Sequence, residues 1–426
     1  MVRLILLGLV LASGWAVCAM ADDAKHLGVA TCASSNCHGN VARQTNGNVW
    51  LNEYRIWRAH DYHSRAYNTL NSQESRSIVQ KLGLKSATTA DICLDCHADN
   101  VPSEQRGSEF QISDGVSCEA CHGGAEQWID THDNVDVSHS DNVANGLYPT
   151  EQPAPRARLC LQCHMGAMDR FATHRILGAG HPRLSFELET FTVNQPPHFS
   201  VDEDYRRRKG ETSSVGLWIT GQLEAGRRYL QILQSGYFET GGWFPEFAFY
   251  DCQGCHHGLD PEDLRWYPER RQQGIEPGSL RLQDHHFRVL AVISNELTAN
   301  ETAELQRRVN ALIAAGQSGR SAVVEAAQGL ERWIDRRQAE WRGISVSNPQ
   351  VRAMRKALVT QAASGREVDY GTAEQGLLSI VTLTAYLGEN ESLGSAIDNL
   401  FDALGNDETF RPRQYAAAAR QVAGSF

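Results

Sequence analysis

The sequence is short of three things. Past its N-terminal segment, no apolar run approaches the roughly 20 residues that a helix needs to cross a bilayer, so an integral membrane protein is not expected. Basic charge is also short. The 40 Lys and Arg stand against 51 Asp and Glu, a formal net charge of -11, which excludes the basic footprint of a nucleic-acid binder. An acidic excess keeps a chain soluble and can steer cationic protein partners. Methionine is scarce too: of five, only Met165, Met168 and Met354 lie beyond residue 21.

The first residues read as an export signal. Met1-Val2-Arg3 supplies a basic end, Leu4 to Val17 a short apolar region and Ala19-Met20-Ala21 an A-x-A site. Residues 1–21 are therefore expected to be a signal peptide cleaved after Ala21, with the mature chain in the periplasm and Cys18 discarded. Ten cysteines remain, and each belongs to a pair followed at once by histidine.

Four of the pairs are C-x-x-C-H: Cys93/Cys96 with His97, Cys118/Cys121 with His122, Cys160/Cys163 with His164, and Cys252/Cys255 with His256. The fifth, Cys32/Cys37 with His38, is a widened C-x4-C-H. C-x-x-C-H is the attachment signature of c-type haem. Two thiols reach the two vinyl groups of one porphyrin as thioethers, and the next imidazole ligates the iron. A disulfide framework gives no reason for the five histidines, and zinc sites usually place their histidines further away. The expectation is five haem c groups, with His38, His97, His122, His164 and His256 as proximal ligands.

The other axial positions must come mainly from histidine. Met165 directly follows a proximal ligand, whereas eleven of the sixteen histidines are not proximal. Bis-His coordination lowers haem potential relative to His/Met. The run Asn48 to Leu70 reads as an amphipathic helix, with Trp50, Tyr54 and Trp57 on one side and His60 and His63 continuing it. One of those two histidines is expected to be a ligand. Further on, His174 and His181 flank Gly178 and Gly180, whose lack of a side chain suits close approach of backbone to a macrocycle. Either is a candidate for the haem at Cys160/Cys163 or at Cys252/Cys255. One of His285 and His286 is a further candidate, while His139 and His198 sit in polar or Pro-rich surroundings that suggest exposed loops. His257, adjacent to His256, serves a neighbouring haem or solvent.

The order of these features resembles the tetrahaem cytochrome c-554 family. It lies in a first motif followed by a Trp-containing helix and His63-Ser64-Arg65-Ala66, then Cys93 to His97, then Gly115-Val116-Ser117-Cys118-Glu119-Ala120-Cys121-His122-Gly123, then Asp130-Thr131-His132, with a fourth motif at Cys160. The resemblance implies that His63 is the distal ligand at Cys118/Cys121 and His132 the distal ligand at Cys32/Cys37. Such ligands would cross between haem units and lock them into stacked pairs. It also implies that the haem at Cys93/Cys96 lacks a distal protein ligand. The widened first motif, the fifth motif and everything beyond His164 fall outside the family's pattern.

The expected fold is mainly α with little sheet: a pentahaem domain over residues 22–278 and a helical C-terminal domain over 279–426. The latter carries no cysteine, and no histidine beyond His285 and His286. Amphipathic helices are expected over 302–315, 321–341, 348–363 and 370–387, after one running to Asn295. A set of low-potential haems on one exported chain is expected to pass electrons between redox proteins, with a membrane quinol-linked complex as one possible partner. Two alternatives stand beside it. One is a haem enzyme acting on a small nitrogen or sulfur compound at an open iron, without the C-x-x-C-K signature of multihaem nitrite reductases. The other is a docking subunit of a redox complex.

Overall fold

The computed structural model describes residues 24–45, 49–239, 244–256, 280–365 and 369–425. Among these residues the chain is helical, with two isolated β-bridges and no strand. None of its helices is long and apolar enough to cross a membrane.

The N-terminal half is a series of short helices: α1 (Val29–Cys32), α2 (Glu53–His60), α3 (Ala66–Thr69), α4 (Gln73–Leu82), α5 (Asp91–His97), α6 (Cys118–His122), α7 (His139–Ala144), α8 (Pro153–His164), α9 (His174–Ala179), α10 (Leu188–Asn194) and α11 (Glu203–Lys209). The expected helix from Asn48 to Leu70 is broken, and Asn48 itself lies outside the described residues. Asp61 is the reason. Its backbone is extended and its carboxylate accepts from the His63 amide at 3.0 Å, so a 3-10 turn over Tyr62–Arg65 separates α2 from α3. Short polar side chains compete with the helix for backbone groups in this way.

In α5, α6 and α8 the attachment motif forms the last turn, which sets its two cysteines three residues apart on one face. The fifth motif is instead a 3-10 turn over Cys252–Gly254, and in the first Cys32 ends α1 while the widened loop carries Cys37 round to His38. Helix α9 begins at a Thr173 cap and ends at Gly180, whose φ of +113° is the left-handed conformation glycine adopts freely. Nothing lies within 4 Å of a side chain built on Gly178, and Gly180, which ends the helix, lines a large cavity together with His181.

From α12 (Ser214–Gln234) onward the helices lengthen: α13 (His285–Leu297), α14 (Ala299–Ala315), α15 (Arg320–Glu340), α16 (Asn348–Ala363), α17 (Tyr370–Tyr386), α18 (Asn390–Leu404) and α19 (Pro412–Ala423). The last two add to the four expected. One apolar core joins α12 to all of these and includes Trp218, Leu230, Leu290, Trp333, Ile380 and Tyr415, each fully buried. Trp218 also donates its indole N–H to Ser379 Oγ at 2.9 Å. This core extends back to Phe171, Phe249 and Tyr250, the last two just before the fifth motif.

That motif is tied to the C-terminal helices. Gln253, between its cysteines, donates to Asp407 O at 2.9 Å and accepts from the Tyr370 amide at 3.0 Å. Alongside, Asp251 N donates to Arg281 O and Gln283 N to Phe249 O. The apolar clusters beneath the other motifs are small by comparison. One holds Ala157, Leu161, Phe186, Leu188 and Ala225, the other Leu70, Ala87, Leu94 and Ala98.

Candidate cofactor sites

The space missing from the small clusters is a cavity of about 2760 Å³, lined by cysteines and histidines of the first four motifs. Pockets for drug-sized ligands are about 300–1,000 Å³, so this one has room for several large flat groups. The ten cysteines form no disulfide. Sulfurs of different motifs instead meet: Cys32 contacts Cys118, and Cys96 contacts Cys163. Burial pushes the Cys121 thiol up to about 12 and that of Cys160 up to about 11. Their surroundings thus favour an uncharged sulfur, as in a thioether, over a thiolate. Among the described residues no three His, Cys, Asp or Glu side chains gather as a metal-ion cluster.

Cys255 departs from the setting expected of an attachment cysteine. Such a sulfur should lie in the wall of a closed site, as half-buried Cys252 does, yet Cys255 is exposed, and Cys37 of the first motif is exposed with it. The cause is local backbone geometry. Cys255 closes the 3-10 turn with φ of -123° and ψ of -35° instead of continuing a helix, so it leaves the packed side that Cys252 occupies. Cys37 sits likewise on the widened loop rather than on α1. The place of Cys255 among the thioether cysteines therefore rests on its motif and not on burial.

Each motif histidine faces a second histidine. The ring centres of His38 and His132 are 6.2 Å apart, those of His97 and His181 6.3 Å, and those of His122 and His198 6.3 Å. His164 and His63 are 6.1 Å apart, and His256 and His174 6.0 Å. An imidazole nitrogen bonds a metal at about 2.0 Å and lies about 1.1 Å from its ring centre, so two imidazoles on opposite sides of one iron are about 6.2 Å centre to centre. The five pairs fit that span. Their planes fall into two classes, at 29° and 37° for the His38 and His256 pairs but 82–89° for the other three.

Several of these histidines have the outer ring nitrogen held as a ligand histidine requires. His38 Nδ1 lies 2.9 Å from Glu53 Oε2, and His63 Nδ1 lies 2.8 Å from Asp61 Oδ1. His132, His97 and His181 direct Nδ1 at the backbone oxygens of Ile129 (2.6 Å), Ala66 (3.1 Å) and Pro182 (2.8 Å). A carbonyl only accepts, so Nδ1 carries the proton in these three and Nε2 is left for a metal. Hydrogen bonding to Glu53 raises the pKa of His38. Burial holds His122 and His164 down to about 4, which keeps them in the neutral form that binds a metal.

Several sequence expectations are revised by this geometry. His63 faces His164, not His122, because the Asp61 turn swings it toward α8. His122 instead faces His198, which is half-buried rather than in an exposed loop. His181 faces His97, the motif histidine expected to stand without a distal partner, and His174 rather than His181 faces His256. His60 is exposed at the end of α2 with no histidine opposite it. His285 and His286 also face no motif histidine. Their rings lie against each other at 4.3 Å, and His286 Nδ1 bonds Gln222 Oε1 at 2.9 Å within the helical core. His139 is half-buried and paired with Glu151 at 3.1 Å. His257 is outside the described residues.

His198 had one legible signal. Pro196 and Pro197 stiffen the backbone before it, and Phe199 follows to stack on Tyr205 at 5.5 Å. A stiff, aromatic-flanked histidine is unlike a mobile surface residue.

Residues 31–123 match the family described as cytochrome c554 and c-prime. The matched c554 region contains the first three motifs with His63, and the cofactor class that goes with it is haem c. It supports a haem-based electron-transfer protein. Beyond the c554 region lie the fourth and fifth motifs and all the long helices. No curated protein and no solved structure matches the chain.

Proposed function

We propose that this chain is an exported, periplasmic electron-transfer protein with five haem c groups, each iron held between two histidines. The ligand pairs are His38 with His132, His97 with His181, His122 with His198, His164 with His63, and His256 with His174. The observation that carries the reading is the spacing of these pairs, all within 6.0–6.3 Å across residues far apart in sequence. Each haem supplies a reversible one-electron ferric/ferrous couple at low potential.

The protein's part is to bind and tune. The ten cysteines, exposed Cys37 and Cys255 included, would hold the macrocycles, and the paired imidazoles would ligate the irons. Glu53 and Asp61 fix the outer nitrogens of His38 and His63; a carboxylate there makes the imidazole a stronger donor and favours ferric iron. The helices from α12 onward hold the fifth motif through Gln253.

Mass spectrometry of the purified protein with low-temperature EPR tests this reading. The mass should show five haems and the loss of residues 1–21. Near-parallel imidazole planes give rhombic low-spin ferric signals and near-perpendicular planes highly anisotropic ones, so two of the first kind and three of the second are expected. Carbon monoxide should leave the reduced spectrum unchanged. A high-spin ferric signal, with carbon monoxide binding on reduction, would defeat the five-pair assignment and favour an enzyme with an open iron.

A further inference from the structure

The wall of the four-motif cavity beside His122 brings three cations, Arg156, Arg208 and Lys209, near two carboxylates, Glu151 and Asp204. Lys209, the last residue of α11, lines the cavity half-buried and close enough to His122 to lower that residue's pKa. Its ammonium lies 5.3 Å from the Tyr205 ring centre, and burial lowers its own pKa. Arg156, in the first turn of α8, is anchored through Nε to Thr150 O at 2.5 Å and hydrogen-bonds the Tyr205 side chain.

The two nearby acids attract Lys209 but are shared with other partners. Asp204 is taken by Arg208 at 2.6 Å, and Glu151 by His139 at 3.1 Å. The rest of the cavity is lined more by carboxylates, Glu53, Asp61, Asp99 and Glu119 among them, with Arg170 beside Cys96 and Cys163 as a further cation. Two half-buried cations sharing a phenol call for an anion. An arginine fork with a lysine point charge is a standard way to hold a carboxylate.

We propose that Arg156 and Lys209 form a carboxylate-binding wall that takes a propionate of the haem attached at Cys118 and Cys121. It rests on the reading of His122 and His198 as that haem's ligands. Phe199, stacked on Tyr205, follows His198 directly, so ligand and wall belong to one continuous stretch.

The test is a spectropotentiometric titration of the holoprotein carrying His198→Met, which gives this haem its own optical signature. Reduction removes a positive charge from the iron, so a neighbouring cation favours the ferrous form. Lys209→Met should lower the ferrous-to-ferric ratio of the marked haem about tenfold at fixed potential, a fall of about 59 mV for a one-electron couple. Arg156→Gln should act in the same direction and Lys209→Arg should restore the midpoint. Added inorganic phosphate should have no effect.

An unmoved midpoint in Lys209→Met would overturn the wall. So would a midpoint in His198→Met alone that shifts with phosphate and stops doing so when Lys209→Met is added, since the wall would then be open to outside anions. Absence of a methionine-ligated signature in His198→Met would mean that the ligand assignment had failed, and the wall with it.

Discussion

From Ala24 to Lys209 the helices are short, several end on a motif histidine, and they surround a large cavity. From α12 onward they are long and close on one another around Trp218, Leu290 and Ile380. The first region buries little apolar surface of its own, its clusters amounting to a few side chains beneath the second and fourth motifs. The second has a continuous core of the kind that makes a domain self-sufficient. The difference bears on where each region gets its stability: on the proposed reading, one would draw it from attached haems filling its interior, while the other draws it from hydrophobic contact.

The largest effect expected from this contrast appears when haem attachment is prevented. Without macrocycles, the region up to about residue 210 should lose its fixed structure while the helices from α12 onward stay folded. Limited proteolysis with mass analysis should leave a fragment beginning near Ser213; uniform digestion of the whole chain would break the comparison. Next comes Trp218→Ala, which removes a fully buried indole and the hydrogen bond it donates to Ser379 Oγ. It should cost about 3–5 kcal/mol, seen as a lower melting temperature by circular dichroism, with low-spin haem spectra retained at room temperature.

The smallest effect is on acid stability. Burial holds the pKa of His286 well below its ordinary value, so the folded chain stays unprotonated where the unfolded chain takes up a proton. The helical region should thus be most stable above about pH 6.5 and lose up to about 1.4 kcal/mol per pH unit as pH falls below that. Denaturant titrations between pH 7 and 5 should show the slope, and His286→Gln should flatten it; an equal slope in the variant would remove His286 as its source.

How much could be read from the sequence follows from the range of each interaction. Attachment chemistry is local, so the cysteine pairs and the histidine after each were legible from spacing. Their exposure was not: the same C-x-x-C spacing ends a helix at Cys163 and leaves Cys255 on the surface of a 3-10 turn. The partner of each motif histidine is remote, and only the fold shows that His63 reaches α8 or that His198 reaches His122. Asp61 illustrates the difficulty: the periodicity of Trp50, Tyr54 and Trp57 favours a continuous helix, yet one carboxylate redirects the chain. The long helices were legible from their periodicity, with 348–363 matched to the residue. In α18, Leu393, Ile397, Leu400 and Leu404 carry the same helical repeat and offered a signal of equal strength.

The anchoring of Gln253 bears on how the molecule matures. An attaching enzyme must grasp a motif while its chain is open, but Gln253 becomes buried once it spans Asp407 and Tyr370. Those two residues are synthesised more than a hundred positions after the motif they clamp. On the proposed reading, loading of the fifth site would precede closure of the C-terminal helices, and that closure would seal a finished protein.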